Sequence, residues 1–221
     1  PIPFPENCPE CGSEVCKLAS EVVPRCANSH CPARAIERIK HFVSRTAMDI
    51  DGLGEKQLAQ LIALGKVTTV ADLYRLQKDD FFEMERMGEV LAEKLSQAIA
   101  ASKTRPLSRF LFALGIRHVG SHTAKILARH FPSLDELAKT EAEQFKQIHE
   151  IGDKVAESLV DFFNDPAQRL LLDDLRDLGI RPAAEDVIQQ NGLLTGKTLV
   201  ITGTLERMSR TEAEEVVERL G

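Results

Sequence analysis

In the middle of the chain, apolar residues recur at the spacing of short amphipathic helices. Leu91, Leu95 and Ala98 fall on one predicted face, as do Ala124, Ile126 and Leu127, with Phe131 nearly aligned. A second, longer period overlies the first. Ile50-Asp51-Gly52-Leu53-Gly54, Met84-Glu85-Arg86-Met87-Gly88, Ile116-Arg117-His118-Val119-Gly120 and Ile148-His149-Glu150-Ile151-Gly152 align, and their last glycines are 34, 32 and 32 residues apart. A fixed interval of that size means repeated supersecondary units. Each unit has an apolar anchor, a second apolar residue about two positions later, a glycine, and then a helix carrying a small residue. Ala92, Ala124 and Ala156 fall four residues after their glycine; in the first unit Leu58 takes that place and Ala59 follows. The predicted local structure is helix, tight hairpin, helix. Phe81, Phe82, Phe110, Phe112, Phe162 and Phe163 are assigned to the core between helices, because they lie on helices at packing spacing rather than on a base-stacking platform.

Beyond the repeats, Asp165-Pro166 opens a helix over 167–178 that Gly179 ends. Residues 181–194 lack periodicity and form a predicted linker. The β-branched run 198–201 is predicted as a buried strand, and Ser209 with Glu212 makes a capping box for a helix ending at Leu220. Gly196-Lys197-Thr198 invites a phosphate-loop interpretation. Asn191 occupies the place of the partner glycine, however, and the lysine leads into a strand, so nucleotide binding is rejected.

The first 31 residues hold all five cysteines. Cys8-x2-Cys11 and Cys26-x4-Cys31 are two close pairs with fourteen residues between them, the spacing of a four-thiolate zinc site. A tetrahedral ion at about 2.3 Å from each sulfur needs two tight chain reversals, each bringing two thiolates. Cys8-Pro9-Glu10-Cys11-Gly12 is one such knuckle, with Gly12 free to take a positive φ. Val15, Leu18, Val22 and Val23 between the pairs suit a short hairpin. Paired disulfides and a ligand role for His30 in place of Cys31 are the alternatives; Cys16 is a spare thiol. Four protein ligands leave no open coordination position, so the expected zinc is structural.

Charge is uneven. Residues 1–130 carry 18 Lys+Arg against 15 Asp+Glu, a net of +3; residues 131–221 carry 10 against 19, a net of −9. The whole chain, at −6, cannot hold nucleic acid by bulk charge. Local phosphate sites made of backbone amides remain open to it. A glycine that opens a helix lets a ligand approach the unpaired N–H groups of the first turn, where the helix dipole favours an anion. The candidate DNA contacts are Gly52, Gly54, Lys56, Arg86, Gly88, His118, Gly120, Lys125, Gly152 and Lys154. In place of the first glycine of unit one, the others have Arg86, His118 and Glu150, and Glu150 would repel a phosphate. His41, His118, His122, His130 and His149 show no metal spacing and are assigned solvated or capping roles. No run of eighteen apolar residues exists and no basic-then-apolar leader is visible, so neither a membrane span nor a secretory signal is expected. The chain opens on Pro1 and stops at Gly221 in mid-pattern, which is expected of a piece of a longer protein.

The repeats resemble the helix-hairpin-helix motif, in four copies. The stretch Gly196-Lys197-Thr198 to Thr202-Gly203-Thr204 resembles the opening of a BRCT domain, of which about two thirds would be missing. A four-cysteine zinc module, then four hairpins, then a BRCT start is similar to the C-terminal end of bacterial NAD⁺-dependent DNA ligases. Cys8-Pro9-Glu10-Cys11-Gly12, His41-Phe42-Val43-Ser44-Arg45, Met48-Asp49-Ile50-Asp51-Gly52-Leu53-Gly54, Glu85-Arg86-Met87-Gly88, Arg109-Phe110-Leu111-Phe112-Ala113-Leu114-Gly115-Ile116 and Thr202-Gly203-Thr204 carry the resemblance. It implies a mainly α architecture: a small four-cysteine zinc finger over 1–33, a helix-hairpin-helix domain over 34–180, a linker over 181–194 and an incomplete α/β BRCT start over 195–221. It also implies structural Zn²⁺ on Cys8, Cys11, Cys26 and Cys31, and a parent enzyme that seals nicks in duplex DNA with NAD⁺ and Mg²⁺ in the bacterial cytoplasm. In that family a Lys-x-Asp-Gly motif in an N-terminal domain carries AMP. No lysine here is followed by x-Asp-Gly, so no adenylation site and no catalytic residue is expected in this chain. Its implied partners are nicked duplex DNA and the adenylation and oligonucleotide-binding domains of the same protein. A DNA-repair protein with helix-hairpin-helix motifs but no ligase activity, and a zinc-containing protein-interaction scaffold, are the rival interpretations.

Overall fold

The computed structural model describes residues 4–17, 23–28, 31–184, 194, 197, 199–203, 213, 216 and 217. Two short strands, β1 (Val15–Cys16) and β2 (Arg25–Cys26), pair antiparallel with Val15 opposite Cys26. Ten helices follow among the described residues: α1 (Pro32–Val43), α2 (Glu55–Ala63), α3 (Lys78–Phe81), α4 (Glu89–Ser102), α5 (Leu107–Ala113), α6 (Ser121–His130), α7 (Leu134–Lys139), α8 (Ala142–Lys146), α9 (Asp153–Asn164) and α10 (Pro166–Asp177). A short 3-10 turn, Ala71–Tyr74, joins α2 to α3. The protein is mainly helical, with the cysteine-rich hairpin at its N-terminal end.

One apolar cluster runs through the helical body from Ile39 to Ile180. The longer helices supply stripes, such as Ile39, Phe42 and Val43 from α1, Ala92, Leu95 and Ile99 from α4, and Ala156, Leu159 and Phe163 from α9. The repeat supplies the rest. Anchors Ile50, Met84, Ile116 and Ile148 are buried, and the small positions Ala92, Ala124 and Ala156, with Leu58, are buried almost completely. Alanine there lets the second helix of a unit lie close to the first, because no longer side chain holds the backbones apart. The second apolar residue of each unit sits three positions after the anchor rather than two. Leu53, Val119 and Ile151 are buried, and their N–H groups close the turn on the carbonyls of Ile50, Ile116 and Ile148 at 3.1–3.2 Å.

The same turn backbone recurs at four points. Its third residue has positive φ each time: Gly52 at 81°, Arg86 at 58°, His118 at 62° and Glu150 at 71°. Reversing the chain over so few residues requires the left-handed region there. Glycine adopts it freely; each of the other three side chains costs about 1–2 kcal/mol.

Several sequence expectations fail on burial. Phe82 is 42% exposed, because α3 is four residues long and Phe81 takes its inward position. Leu91 is 51% exposed, since the buried stripe of α4 runs through Ala92, Leu95 and Ile99 rather than through Leu91, Leu95 and Ala98. His41 is half-buried and caps a neighbouring helix rather than its own, at a last-turn carbonyl of α5. Its Nε2 lies 2.7 Å from the Phe112 carbonyl and its ring meets the Phe112 ring edge-on, tying α1 to α5. At 198–201, Leu199 and Val200 are exposed and in no strand among the described residues; a lone strand has no neighbour to complete its hydrogen bonds or cover its faces. Most of the predicted helix over 209–220 and most of the linker lie outside the described residues, as do Leu18, Val22 and His30; of that helix Ala213, Val216 and Val217 are described, and all three are helical. The start of the linker is docked: the Arg181 N–H donates to the Lys103 carbonyl, and Ala183 exchanges hydrogen bonds with Arg105 and Leu107.

A four-thiolate metal centre and a candidate nucleic-acid interface

The Sγ atoms of Cys8, Cys11, Cys26 and Cys31 lie within 4.8 Å of one another. Cys8 to Cys31 is 3.8 Å and Cys11 to Cys26 is 3.5 Å. A tetrahedron with metal–sulfur bonds of about 2.3 Å has edges of about 3.8 Å, so the cage has the size of a zinc site. The knuckle is closed by the Cys8 N–H on the Ser13 carbonyl at 2.7 Å and the Gly12 N–H on the Cys8 carbonyl at 2.8 Å, with Gly12 at φ 70°. Cys11 and Cys26 show what the crowding does. Hydrogen bonds from Ser13 lower the Cys11 thiol to about 6, while partial burial and then its sulfur neighbours push Cys26 up to about 12. Cys16 lies outside the cage, on β1 opposite Arg25. Cys31 is the N-cap of α1, and Arg34 on that helix donates to the carbonyls of Cys26 and Asn28, both at 3.2 Å. The second knuckle is thus fixed to the helix that enters the body.

The four repeated turns end in Gly54, Gly88, Gly120 and Gly152. Each is the N-cap of α2, α4, α6 or α9, in extended conformation and without a capping side chain. By contrast α3, α7, α8 and α10 are capped by their own side chains: Gln77 with Asp80, Ser133, Glu141 with Gln144, and Asp165. The glycine-opened ends also face outward. A Cβ built on Gly88, Gly120 or Gly152 would meet nothing within 4 Å, and on Gly54 only the Gln57 Oε1, at 3.3 Å. Residues 55–56, 89–90, 121–122 and 153–154 of the first turns are exposed. Helix ends with neither a cap nor a protein cover leave their amides for solvent or a ligand.

Three of these first turns carry an acid, at Glu55, Glu89 and Asp153. Each is held by a lysine from the preceding helix: Lys40 to Glu55 at 2.8 Å, Lys78 to Glu89 at 2.5 Å and Lys146 to Asp153 at 3.2 Å. The carboxylates hold these lysines above their ordinary range, and Lys40 holds Glu55 below its own. Charge at those mouths is neutralised within each unit. The α6 mouth has Ser121, His122 and Thr123 instead, with no acid of its own. Glu150 reaches it from the next turn, with Oε2 at 2.8 Å from His122 Nε2, and that contact holds the Glu150 carboxyl below its usual range.

Among the other residues predicted to contact DNA, Lys56, Arg86, His118 and Lys154 are exposed and Lys125 is half-buried. Sequence inspection missed the lysine–acid pairs, although an acid directly after three of the four glycines was visible. Arg45, in a stretch that carried the resemblance but was not singled out as a contact, is exposed and lines a cleft of about 630 Å³ beside the first turn.

These features define a class: a helical protein with a structural four-cysteine zinc site and helix-hairpin-helix DNA-binding motifs. Residues 7–33 match the NAD-dependent DNA ligase C4 zinc finger domain, and residues 109–172 match the helix-hairpin-helix motif. All of the chain aligns with a DNA ligase of Syntrophotalea carbinolica at 55% identity over 220 residues, and with those of Geobacter metallireducens and Geobacter sulfurreducens at 52%. In each case it spans 33% of the relative's length. The chain belongs to the NAD-dependent DNA ligase family, as the zinc-finger and helix-hairpin-helix portion, and its four cysteines hold structural zinc. Among the described residues, no helix is long and apolar enough to cross a membrane.

Proposed function

We propose that this chain grips duplex DNA across a nick for a parent NAD⁺-dependent ligase that seals nicks during replication and repair in the bacterial cytoplasm. The observation that carries this reading is the set of four outward-facing, uncapped helix mouths on one repeated turn. They act as four helix-hairpin-helix motifs, each offering main-chain amides to a phosphate. Such contacts hold the sugar–phosphate backbone and carry no base sequence, as a ligase that must work at any nick requires. They also explain how a chain of net charge −6 can bind DNA.

The third motif is the strongest of the four, because its first turn carries no acid and His118 and His122 lie beside it, with Glu150 of the next turn offsetting part of their charge; Lys125 follows on the same helix. The first, second and fourth motifs add weaker contacts through Gly52, Gly54 and Lys56, through Arg86 and Gly88, and through Gly152 and Lys154. Zinc fixes the finger to α1 and so sets the direction in which the adenylation and oligonucleotide-binding domains join. NAD⁺ and Mg²⁺ act in those domains, and this chain alone seals nothing.

The test is binding to nicked and intact duplexes over a salt series, followed by addition of this chain to a separately supplied N-terminal half of the ligase. Phosphates neutralised by the exposed lysines and arginines make log K fall with log salt at about 0.9 each, and nick sealing should be restored. A salt-independent interaction, or none, would favour a protein scaffold. DNA binding without restored sealing over a wide concentration range would favour a non-ligase repair protein.

A further inference from the structure

The loop between α1 and the first turn is held by two arginines that come from far along the chain. The loop's own N–H groups bond inward: Ala47 and Asp49 donate to the Ser44 carbonyl, Met48 to Phe42 and Ile50 to Val43. The carbonyls of Arg45, Ala47, Met48 and Asp49 accept from no main-chain N–H among the described residues. Arg105 and Arg109 take all four. Arg105 donates through Nε to the Met48 carbonyl at 3.2 Å, and through Nη2 to the Asp49 carbonyl at 3.1 Å and its Oδ2 at 3.0 Å. Arg109 donates through Nε to the Ala47 carbonyl at 2.7 Å and through Nη2 to the Arg45 carbonyl. Asp49 is itself in the left-handed region, at φ 51°.

The two arginines flank the start of α5, whose C-terminal end runs into the third turn at Ile116. Both side chains are about two-thirds buried. A planar fork can serve two acceptors with fixed geometry; an ammonium on a flexible stem cannot.

We infer that Arg105 and Arg109 are positioning residues that set the first hairpin at a fixed distance and direction from the third, so that one rigid body meets phosphates at two separated places on a duplex. The inference rests on the DNA-binding reading above. Neither arginine touches DNA in this arrangement; both act through the loop they hold.

The experiment uses the full chain with zinc bound and a nicked duplex, and compares the wild type with Arg105→Lys, Arg109→Lys and the double variant. Lysine keeps the charge, so bulk electrostatics are unchanged. The readouts are affinity over a salt series and hydroxyl-radical protection of the DNA backbone. Leu172→Ala on α10, remote from the loop, is the control for lost stability, and all proteins are assayed where circular dichroism shows them folded. The double variant should bind 10- to 100-fold more weakly. It should lose the protected patch belonging to the first hairpin and keep the patch belonging to the third, while Leu172→Ala keeps both. Wild-type affinity with both patches at unchanged spacing would overturn the inference. So would a uniform fading of all protection in the arginine variants matched by the control. A wild-type chain that protects no backbone refutes the DNA-binding reading itself.

Discussion

Replacing Gly120 with aspartate should separate what a helix end does for folding from what it does for a ligand. Gly120 is in an extended conformation at φ −83°, and a Cβ there meets nothing within 4 Å, so the side chain fits without strain. From this N-cap an aspartate can accept from the open N–H groups of the first turn. Relative to glycine that cap is worth a few tenths of a kcal/mol, and the negative charge at the positive end of the dipole adds about 0.3–1 kcal/mol. The variant should therefore be as stable as the wild type or slightly more so. Its DNA binding should fall, because the carboxylate occupies the amides that would take a phosphate. Losing charge-assisted hydrogen bonds of about 1.5–3 kcal/mol weakens binding roughly 10- to 100-fold, and the added negative charge should make the salt dependence shallower by up to about 0.9. Thermal unfolding and fluorescence anisotropy on a labelled duplex measure the two effects. If Gly120→Asp gains stability and binds DNA as the wild type does, the α6 amides are not a phosphate site.

The left-handed positions give a second prediction: Arg86→Gly, His118→Gly and Glu150→Gly should each raise stability by up to about 1 kcal/mol in urea unfolding, the relieved strain exceeding the entropy glycine adds to the unfolded chain. Gly52→Ala should cost about 1–2 kcal/mol, because φ is 81° and the new Cβ would lie 3.1 Å from Leu95 Cδ2. Metal removal should unfold the finger and spare the body, since the main apolar cluster begins at Ile39 and includes no cysteine. The metal supplies on the order of 10 kcal/mol to such a module. One zinc per chain by metal analysis, lost in Cys11→Ser and kept in Cys16→Ser, checks the ligand set. Acid should destabilise the body only below about pH 4. Lys66 holds Asp80 low, Lys40 holds Glu55 low and Lys78 holds Glu93 low; at Asp72 partial burial raises the carboxyl, but hydrogen bonds from Thr68 and Thr69 outweigh it. Because the folded values are depressed, their stabilising contribution is complete above the ordinary carboxylate range and is lost as pH falls through the lower folded values. Glu55 and Glu93 are exposed and Asp72 and Asp80 only half-buried, so each contribution is small, and a melting temperature that declines between pH 7 and 5 would contradict this assignment.

Much of the site is legible in the amino-acid sequence, for a local reason. Cysteine pairs separated by two and four residues can meet one ion only through tight reversals, so spacing points to these four thiolates, and the clustering of their Sγ atoms selects Cys31. The glycine period locates all four turns, because each turn is made by consecutive residues. Burial is less legible. The spacing of Leu91, Leu95 and Ala98 is as helical as that of Ala92, Leu95 and Ile99, and only packing against neighbouring helices selects the second stripe.

What the sequence determined by itself is the repeated turn: an anchor, a left-handed residue, an apolar residue and a glycine that leaves the next helix uncapped. It specified this even where arginine, histidine or glutamate stands at the strained position, because the surrounding pattern is the same. What the tertiary structure decided is how the turns stand relative to one another and which charges reach their mouths. Lys40 meets Glu55, Lys78 meets Glu89 and Glu150 meets His122, while Arg105 and Arg109 close on a loop about sixty residues earlier in the chain. Such contacts depend on the directions of packed helices, and no local period along the chain encodes them.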